Sequence, residues 1–124
     1  EEYLGDNIND FKFFCIQGKF QFCQMEIFGS IYSKCLNFYD KNFNLLNMYK
    51  EGYPNCKKKF EKPDKYKQMI TIAEQISKPF EFVRVDLYNI QGKIYFGEMT
   101  FAPSGAKKKF LPEINEINLG KIWN

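Results

Sequence analysis

The sequence predicts an α+β fold: an antiparallel β-sheet of two hairpins with one helix packed on it. Three observations predict it. Two stretches carry strand-like residues in period-2 alternation, each broken by a Gly-containing turn. One stretch between them has apolar residues at helical spacing. A hydrophobic fraction of 44% over 124 residues supplies one core and argues against a disordered chain. At this length a single domain over residues 1–124 is expected, without an interdomain linker.

The first hairpin runs from Phe11 to Ile16, turns at Gln17-Gly18, and returns from Lys19 to Ile27. In its second arm Phe20 and Phe22 alternate with Gln21 and Cys23, which assigns the two rings to one face. Ile31 to Phe38 reads as a short helix, and Asn37 to Pro54 as loop with aromatic anchors. Asp64 to Lys78 reads as the main helix, because Met69, Ile70, Ala73 and Ile76 fall on one face. Pro63 and Asp64 suit its start and Pro79 its stop. The second hairpin runs from Phe82 to Tyr88, turns between Asn89 and Lys93, and returns from Ile94 to Phe101. Both turns contain Ile-Gln-Gly-Lys, at 16–19 and 90–93, an echo that predicts two similar turns. Pro103-Ser104-Gly105 breaks the last strand, and the tail to Asn124 reads as irregular.

Composition removes several chemistries. The chain has no histidine, which excludes Ser-His-Asp and Cys-His catalysis, His-ligated zinc and a histidine pH switch. Net charge is +3 with a pI near 8.6, milder than nucleic-acid-binding domains usually show. Nor does an RNP-like pattern of Gly and aromatics appear, so nucleic acid is not an expected partner. The runs Lys57-Lys58-Lys59 and Lys107-Lys108-Lys109 read either as solvated loop charge or as contacts to phosphate or an anionic polymer. Cys15, Cys23, Cys35 and Cys56 lack C-x-x-C spacing and no secretory leader precedes them, so free thiols in a reducing, cytoplasmic setting are expected. No apolar run approaches the ~18 residues of a membrane span. A chain beginning at Glu1 is expected to be a fragment or a processed product.

The second hairpin carries the sharpest chemical signal. Alternation gives Arg84, Asp86 and Tyr88 one face of the strand, with Val83, Val85 and Leu87 on the other. Phe96, Glu98 and Thr100 share a face of the return strand. A three-residue loop Ile90-Gln91-Gly92 pairs Asp86 with Phe96 and Arg84 with Glu98, bringing Arg84, Asp86, Glu98 and Thr100 together; a two-residue loop would separate the two sets. Neighbouring carboxylates repel unless a cation lies between them, and Mg²⁺ takes such oxygens together with substrate phosphates. An adjacent Arg offers phosphate a planar fork that Lys lacks. Spacing alone leaves two readings open, a Mg²⁺-nucleotide site and a surface salt-bridge network.

The stretch Arg84-Val-Asp86-Leu-Tyr, a Gly turn, and Ile94-Tyr-Phe-Gly97-Glu98-Met-Thr100-Phe-Ala-Pro103-Ser-Gly105 resembles the metal-binding end of the ATP-grasp superfamily, most closely its TupA-like branch. That branch is associated with teichuronopeptide and other cell-surface polymer biosynthesis. Asp10 to Lys19, Phe38-Tyr39-Asp40-Lys41-Asn42 and the helix after Pro63 are similar to its pattern as well, so the resemblance spans nearly the whole chain. It implies ATP and Mg²⁺ as cofactors, with Asp86 and Glu98 as metal ligands and Arg84 as the phosphate-contacting arginine. Thr100 stands where many ATP-grasp enzymes place a metal-ligating Asn, a weaker donor that puts a second metal in doubt. Glu1-Glu2-Tyr3-Leu4 resembles the hinge strand, which assigns Glu2 and Leu4 to adenine binding through backbone groups. Asp10 lies near the position that binds ribose hydroxyls, at a longer spacing. Lys12 reads either as an exposed strand lysine or as a contact to phosphate or an acidic substrate.

The resemblance implies the C-terminal half of an ATP-grasp enzyme, an ATP-dependent carboxylate–amine ligase. The N-terminal subdomain that covers the phosphates is not in this sequence, and no G-x-x-x-x-G-K-[ST] loop replaces it. A fragment of a longer enzyme, a degenerate homologue, or a chain completed by a second one are the expected cases. Implied partners are a nucleotide and an acidic or glycan substrate. The competing readings are an inactive remnant and a β-rich module gripping an anionic glycan or polymer.

Overall fold

The structure, a computed structural model, describes residues 9–28, 34–57, 60–101 and 110–111. The Glu2 and Leu4 hinge expectation, the run at 107–109, most of the run at 57–59 and nearly all of the tail lie outside these residues. In chain order the elements are β1 (Asn9–Ile16), β2 (Lys19–Phe28), β3 (Lys34–Tyr39), β4 (Tyr49–Lys50), α1 (Tyr66–Ser77), β5 (Phe82–Ile90), β6 (Lys93–Thr100) and β7 (Phe110–Leu111). Five strands form one antiparallel sheet in the order β3-β2-β1-β5-β6, while β4 pairs with β7. The predicted α+β class holds, and β1 pairing with β5 joins the two predicted hairpins.

The two hairpin turns are alike, as the repeated tetrapeptide predicted, and each has two residues. Ile16 pairs with Lys19, and Ile90 with Lys93. The central residues have positive φ, 52° and 77° at Gln17 and Gly18, 55° and 85° at Gln91 and Gly92. Two positive φ values are the signature of a type I′ turn, whose twist matches that of the strands it joins. Asn89 secures the second turn: its Oδ1 accepts from the Gly92 N–H at 2.9 Å, and its Nδ2 donates to the Asp64 carbonyl at 2.8 Å, tying the hairpin to the approach to α1.

Each return strand then carries one extra residue. In β2, Phe14 faces Phe22 but Cys15 faces Phe20, so Gln21 is bulged. In β6, Asp86 faces Glu98 but Leu87 faces Phe96, so Gly97 is bulged. A bulge reverses the inside–outside alternation on one side of it. Phe20 and Phe22 therefore do not share a face, contrary to the alternation reading. Phe20 packs with the core under α1, and Phe22 with the core on the opposite face.

The helix-side core holds Phe11, Phe13, Cys23, Met25, Val83, Val85 and Leu87 from the strands, against Tyr66, Met69 and Ala73 of α1. Burial of this apolar set is the main stabilising term. The helix starts two residues later than predicted. Lys65 is its N-cap in a left-handed conformation, with no side-chain capping bond, so Asp64 does not cap it. On the other face Phe14, Phe22, Leu36, Phe38 and Met48 form a second core.

The predicted short helix at 31–38 is corrected where described. Residues from Lys34 onward form β3, because Leu36 and Phe38 at period 2 reach the second core while Tyr39 reaches the first. Its edge is pinned by Asn55, which donates to the carbonyls of Leu36 and Met48. Beside it Cys35 and Cys56 form a disulfide, which corrects the expectation of four free thiols. Cys15 and Cys23 are free and buried. Burial pushes the Cys15 thiol up to about 11 and the Cys23 thiol well above its ordinary value, so neither is poised as a nucleophile. Among the described residues no helix is long and apolar enough to cross a membrane.

Two outcomes are expected. A Cβ at Gly97 would lie 2.8 Å from Tyr88 Cε2 and 3.0 Å from the Asp86 carbonyl, so Gly97→Ala lowers stability by about 1–3 kcal/mol in urea unfolding. The Cys35–Cys56 bond closes a loop of 21 residues' separation. Its reduction costs roughly 3 kcal/mol on the chain-entropy account, read as a drop in thermal midpoint on adding a thiol.

Candidate functional site

The face of the sheet opposite α1 is apolar toward one end and polar toward the other. Pairing sets the polar part directly. Glu98 faces Asp86, Asp86 faces Lys12, and Lys12 faces Gln24, a row running across β6, β5, β1 and β2. Residues opposite each other in antiparallel strands project to the same side. Arg84 and Thr100 form the next pair on one flank, with Asp10 and Glu26 on the other.

The convergence of Arg84, Asp86, Glu98 and Thr100 expected from sequence is found, but by a different route. The predicted three-residue loop and its pairs are corrected: the turn has two residues, which alone would place the two sets on opposite faces. The Gly97 bulge then restores them to one face, with Asp86 opposite Glu98 and Arg84 opposite Thr100.

The charges are tightly paired. Arg84 grips Asp86 with two parallel bonds, Nε to Oδ1 at 2.9 Å and Nη2 to Oδ2 at 3.0 Å. Nη2 also donates to Thr100 Oγ1 at 3.2 Å and lies 3.6 Å from Glu98 Oε2. Lys12 Nζ bridges Asp10 Oδ2 at 2.9 Å and Asp86 Oδ2 at 3.0 Å. The side chain of Asp86 is 3% exposed and that of Lys12 10%, whereas Glu98 is 65% exposed. Lys12 is thus a buried bridging cation, not an exposed strand lysine. Burial disfavours its charge, but the bonds and charges of Asp10 and Asp86 outweigh that and raise its pKa above the ordinary 10.5. Asp10 is raised chiefly by burial, which the hydrogen bond and charge of Lys12 offset only in part, with smaller repulsions from Asp86 and Glu26.

An oxygen-only donor set at Asp86, Glu98 and Thr100 suits a hard cation such as Mg²⁺. Among the described residues no group of three His, Cys, Asp or Glu side chains is placed to hold a metal by itself. The two carboxylates fit a Mg²⁺ that arrives with phosphate oxygens and water completing its shell.

Sequence reasoning missed three residues of this face. Gln24 faces Lys12, Glu26 lies near enough to Asp10 to repel it, and Lys34 Nζ is 3.7 Å from Glu26 Oε1. The signal was available in the alternation of Gln24 and Glu26 with Cys23 and Met25. It was hidden because the bulge at Gln21 changes which face each residue of β2 occupies.

A family model described as TupA-like ATPgrasp matches residues 2–123. No curated protein and no solved structure gives a significant match.

Lys12→Met leaves Asp10 and Asp86 short of a partner inside the sheet face and is expected to cost about 3 kcal/mol or more at neutral pH. The pH dependence has a definite sign. Asp10 holds its proton more tightly folded than unfolded, so its contribution is present below its ordinary 3.8 and is lost as pH rises through the folded value. Without Lys12 that folded value climbs further, so the deficit of the variant shrinks on acidification. In the wild type the Lys12 contribution is present below 10.5 and is lost as pH rises through its raised folded pKa. Urea unfolding of both proteins across pH checks each limb.

Proposed function

Because the chain belongs to the TupA-like ATP-grasp family, we propose that it is the MgATP-binding C-terminal half of an ATP-dependent carboxylate–amine ligase in cell-surface polysaccharide or teichuronopeptide biosynthesis. One observation supports this above the rest: the Gly97 bulge and the β1–β5 pairing align Glu98, Asp86 and Lys12 in a single row flanked by Arg84 and Thr100.

In this reading Asp86 and Glu98, with Thr100 beside them, hold Mg²⁺, which when bound neutralises charge on phosphate oxygens. Arg84 is oriented by Asp86 and Thr100 and contacts the phosphate. Lys12 adds a second positive charge beside Asp86 within the sheet face. The reaction joins a substrate carboxylate to an amine by way of an acyl phosphate. Positioning and charge neutralisation dominate phosphoryl transfer, so a second ATP-grasp subdomain, in the same chain or another, is needed to close the cleft. Glu2 and Leu4 for adenine and Asp10 for ribose complete the proposed nucleotide contacts. The need for ATP supports a cytoplasmic location, whereas the Cys35–Cys56 bond withdraws the support that free thiols gave it.

One observation favours a remnant that lacks turnover. Both oxygens of Asp86 are already engaged by Arg84 and Lys12, so the network is satisfied as it stands.

Isothermal titration with MgATP separates the two. Glu98 is exposed, so Glu98→Gln preserves the fold and is expected to weaken MgATP binding at least tenfold, on the order of 1.4 kcal/mol. Arg84→Lys keeps the charge but loses the planar fork and is expected to weaken binding as well. Wild-type affinity in both variants would sink the MgATP reading.

A further inference from the structure

The sheet has two outer strands, and the chain treats them differently. The outer side of β3 is covered. The Leu36 N–H donates to the Pro54 carbonyl at 2.9 Å, Asn55 Nδ2 donates to the Leu36 carbonyl at 2.9 Å, and the Cys56 N–H donates to Asn37 Oδ1 at 2.8 Å. The Cys35–Cys56 bond clamps this cover in place. Among the described residues no strand pairs with the outer side of β6. That strand runs for 8 residues, so it presents a row of backbone donors and acceptors ready to pair. Large rings mark it: Tyr95 is 48% exposed and Phe96 56%. The two project to opposite faces, since Tyr95 stands opposite Tyr88 and Phe96 opposite Leu87.

Charge selects the occupant. Lys93 is exposed at one end of β6, and Glu98 is exposed toward the other. Among the described residues Lys93 enters no ion pair, and Glu98 meets only Arg84, at 3.6 Å. A second β6 running antiparallel brings Lys93 of each copy toward Glu98 of the other, whereas a parallel one sets like charges together. The bulge allows a register that keeps the faces matched. Lys93, Tyr95, Glu98 and Thr100 share the polar face, and Ile94, Phe96 and Met99 share the α1 face. A two-fold axis at Phe96 pairs that residue with its own copy, Ile94 with Met99 and Lys93 with Thr100, and it sets Tyr95 opposite Glu98. Gly97 absorbs the extra residue on each strand. Every pair then projects to a common side, and Lys93 lies diagonal to Glu98, within reach of a long side chain.

We propose that β6 is a dimerisation edge: two copies of this chain pair along it, antiparallel about a two-fold axis at Phe96, into one continuous sheet with 5 strands from each copy. Pairing is edge to edge, so the face carrying Asp86 and Arg84 stays open in both copies, and the two polar rows lie on the same side. Lys93 of the second copy then joins the cluster at Glu98, whose side chain is otherwise 65% exposed. Neither metal nor nucleotide is needed for the pairing.

Sedimentation velocity of the chain from micromolar to millimolar concentration tests it. A reversible shift from 14.8 kDa to twice that mass is expected. Phe96→Arg sets two cations at the axis and is expected to weaken association about tenfold or more, as loss of a buried ring contact does. Phe96 is exposed in the single copy, so the variant keeps its fold, which circular dichroism checks. Lys93→Glu and Glu98→Lys are each expected to weaken association several-fold. The double variant, which exchanges the charges across the axis, is expected to restore it. Leu45→Arg alters an apolar residue outside β6 that is 49% exposed, and it is expected to leave association unchanged. A chain that stays monomeric at millimolar concentration overturns the proposal. So does a dimer that Phe96→Arg leaves intact or that Leu45→Arg disrupts. A double variant no stronger than the single ones overturns the antiparallel register.

Discussion

The arrangement on which the polar face depends is the Lys12 ammonium held between Asp10 and Asp86. It sits where β1 meets β5, the pairing that joins the two hairpins into one sheet. A carboxylate as buried as Asp86 is tolerated only with compensating charge, and Lys12 and Arg84 supply it from two strands. The joint is therefore fixed twice, by apolar packing under α1 on one face and by charge on the other. An apolar pair at positions 12 and 86 would hold the strands as well or better. Such pairs are often retained for what they specify, and here they specify a charged, register-locked face.

The bulges give that face its composition. Without Gly97, the two-residue turn would send Glu98 and Thr100 to the side away from Asp86 and Arg84. Glycine is required there by space: the Tyr88 ring and the Asp86 carbonyl occupy the place of a Cβ. At Gln21 the corresponding bulge divides Phe20 and Phe22 between two cores and turns Gln24 toward Lys12. One device, a tight I′ turn followed by a bulge in the return strand, is thus used twice. It divides two rings between two cores in the first hairpin and gathers Arg84, Asp86, Glu98 and Thr100 on one face in the second.

This explains what was legible in the sequence. The hairpins and the main helix follow from period and turn chemistry, which are local. The Ile-Gln-Gly-Lys echo correctly marked two like turns. Register was not legible, because a bulge is one residue in a strand that alternation treats as uniform, and Gln21 and Gly97 are unremarkable until their neighbours are known. The correct grouping around Arg84 came from an incorrect loop, two errors that cancelled: one residue too many in the turn and one too few in the strand. β3 was read as helix because its apolar residues serve two cores on opposite faces, Leu36 and Phe38 on one and Tyr39 on the other. That blurs a period-2 signal. The disulfide depends on Cα positions 4.9 Å apart across a separation of 21 residues, which spacing does not encode.

The use of cations on this face follows the same physical economy. The chain has 18 basic residues, and its one arginine is Arg84. At position 12 the demand is for a compact charge shared by carboxylates on two strands, which a rotatable ammonium meets. At position 84 two parallel bonds to one carboxylate, with a third partner at Thr100, require a planar fork. A network built only for stability would leave no acceptor unmet, since each costs more than a neutral bond returns. Among the described residues Asp10 Oδ1 and Gln24 Oε1 break that rule, on the face where the sheet is polar, while the opposite face is closed by α1. The two ends of the row therefore differ: both oxygens of Asp86 are paired, by Arg84 and Lys12, whereas Asp10 Oδ1 and Gln24 Oε1 have no partner among the described residues.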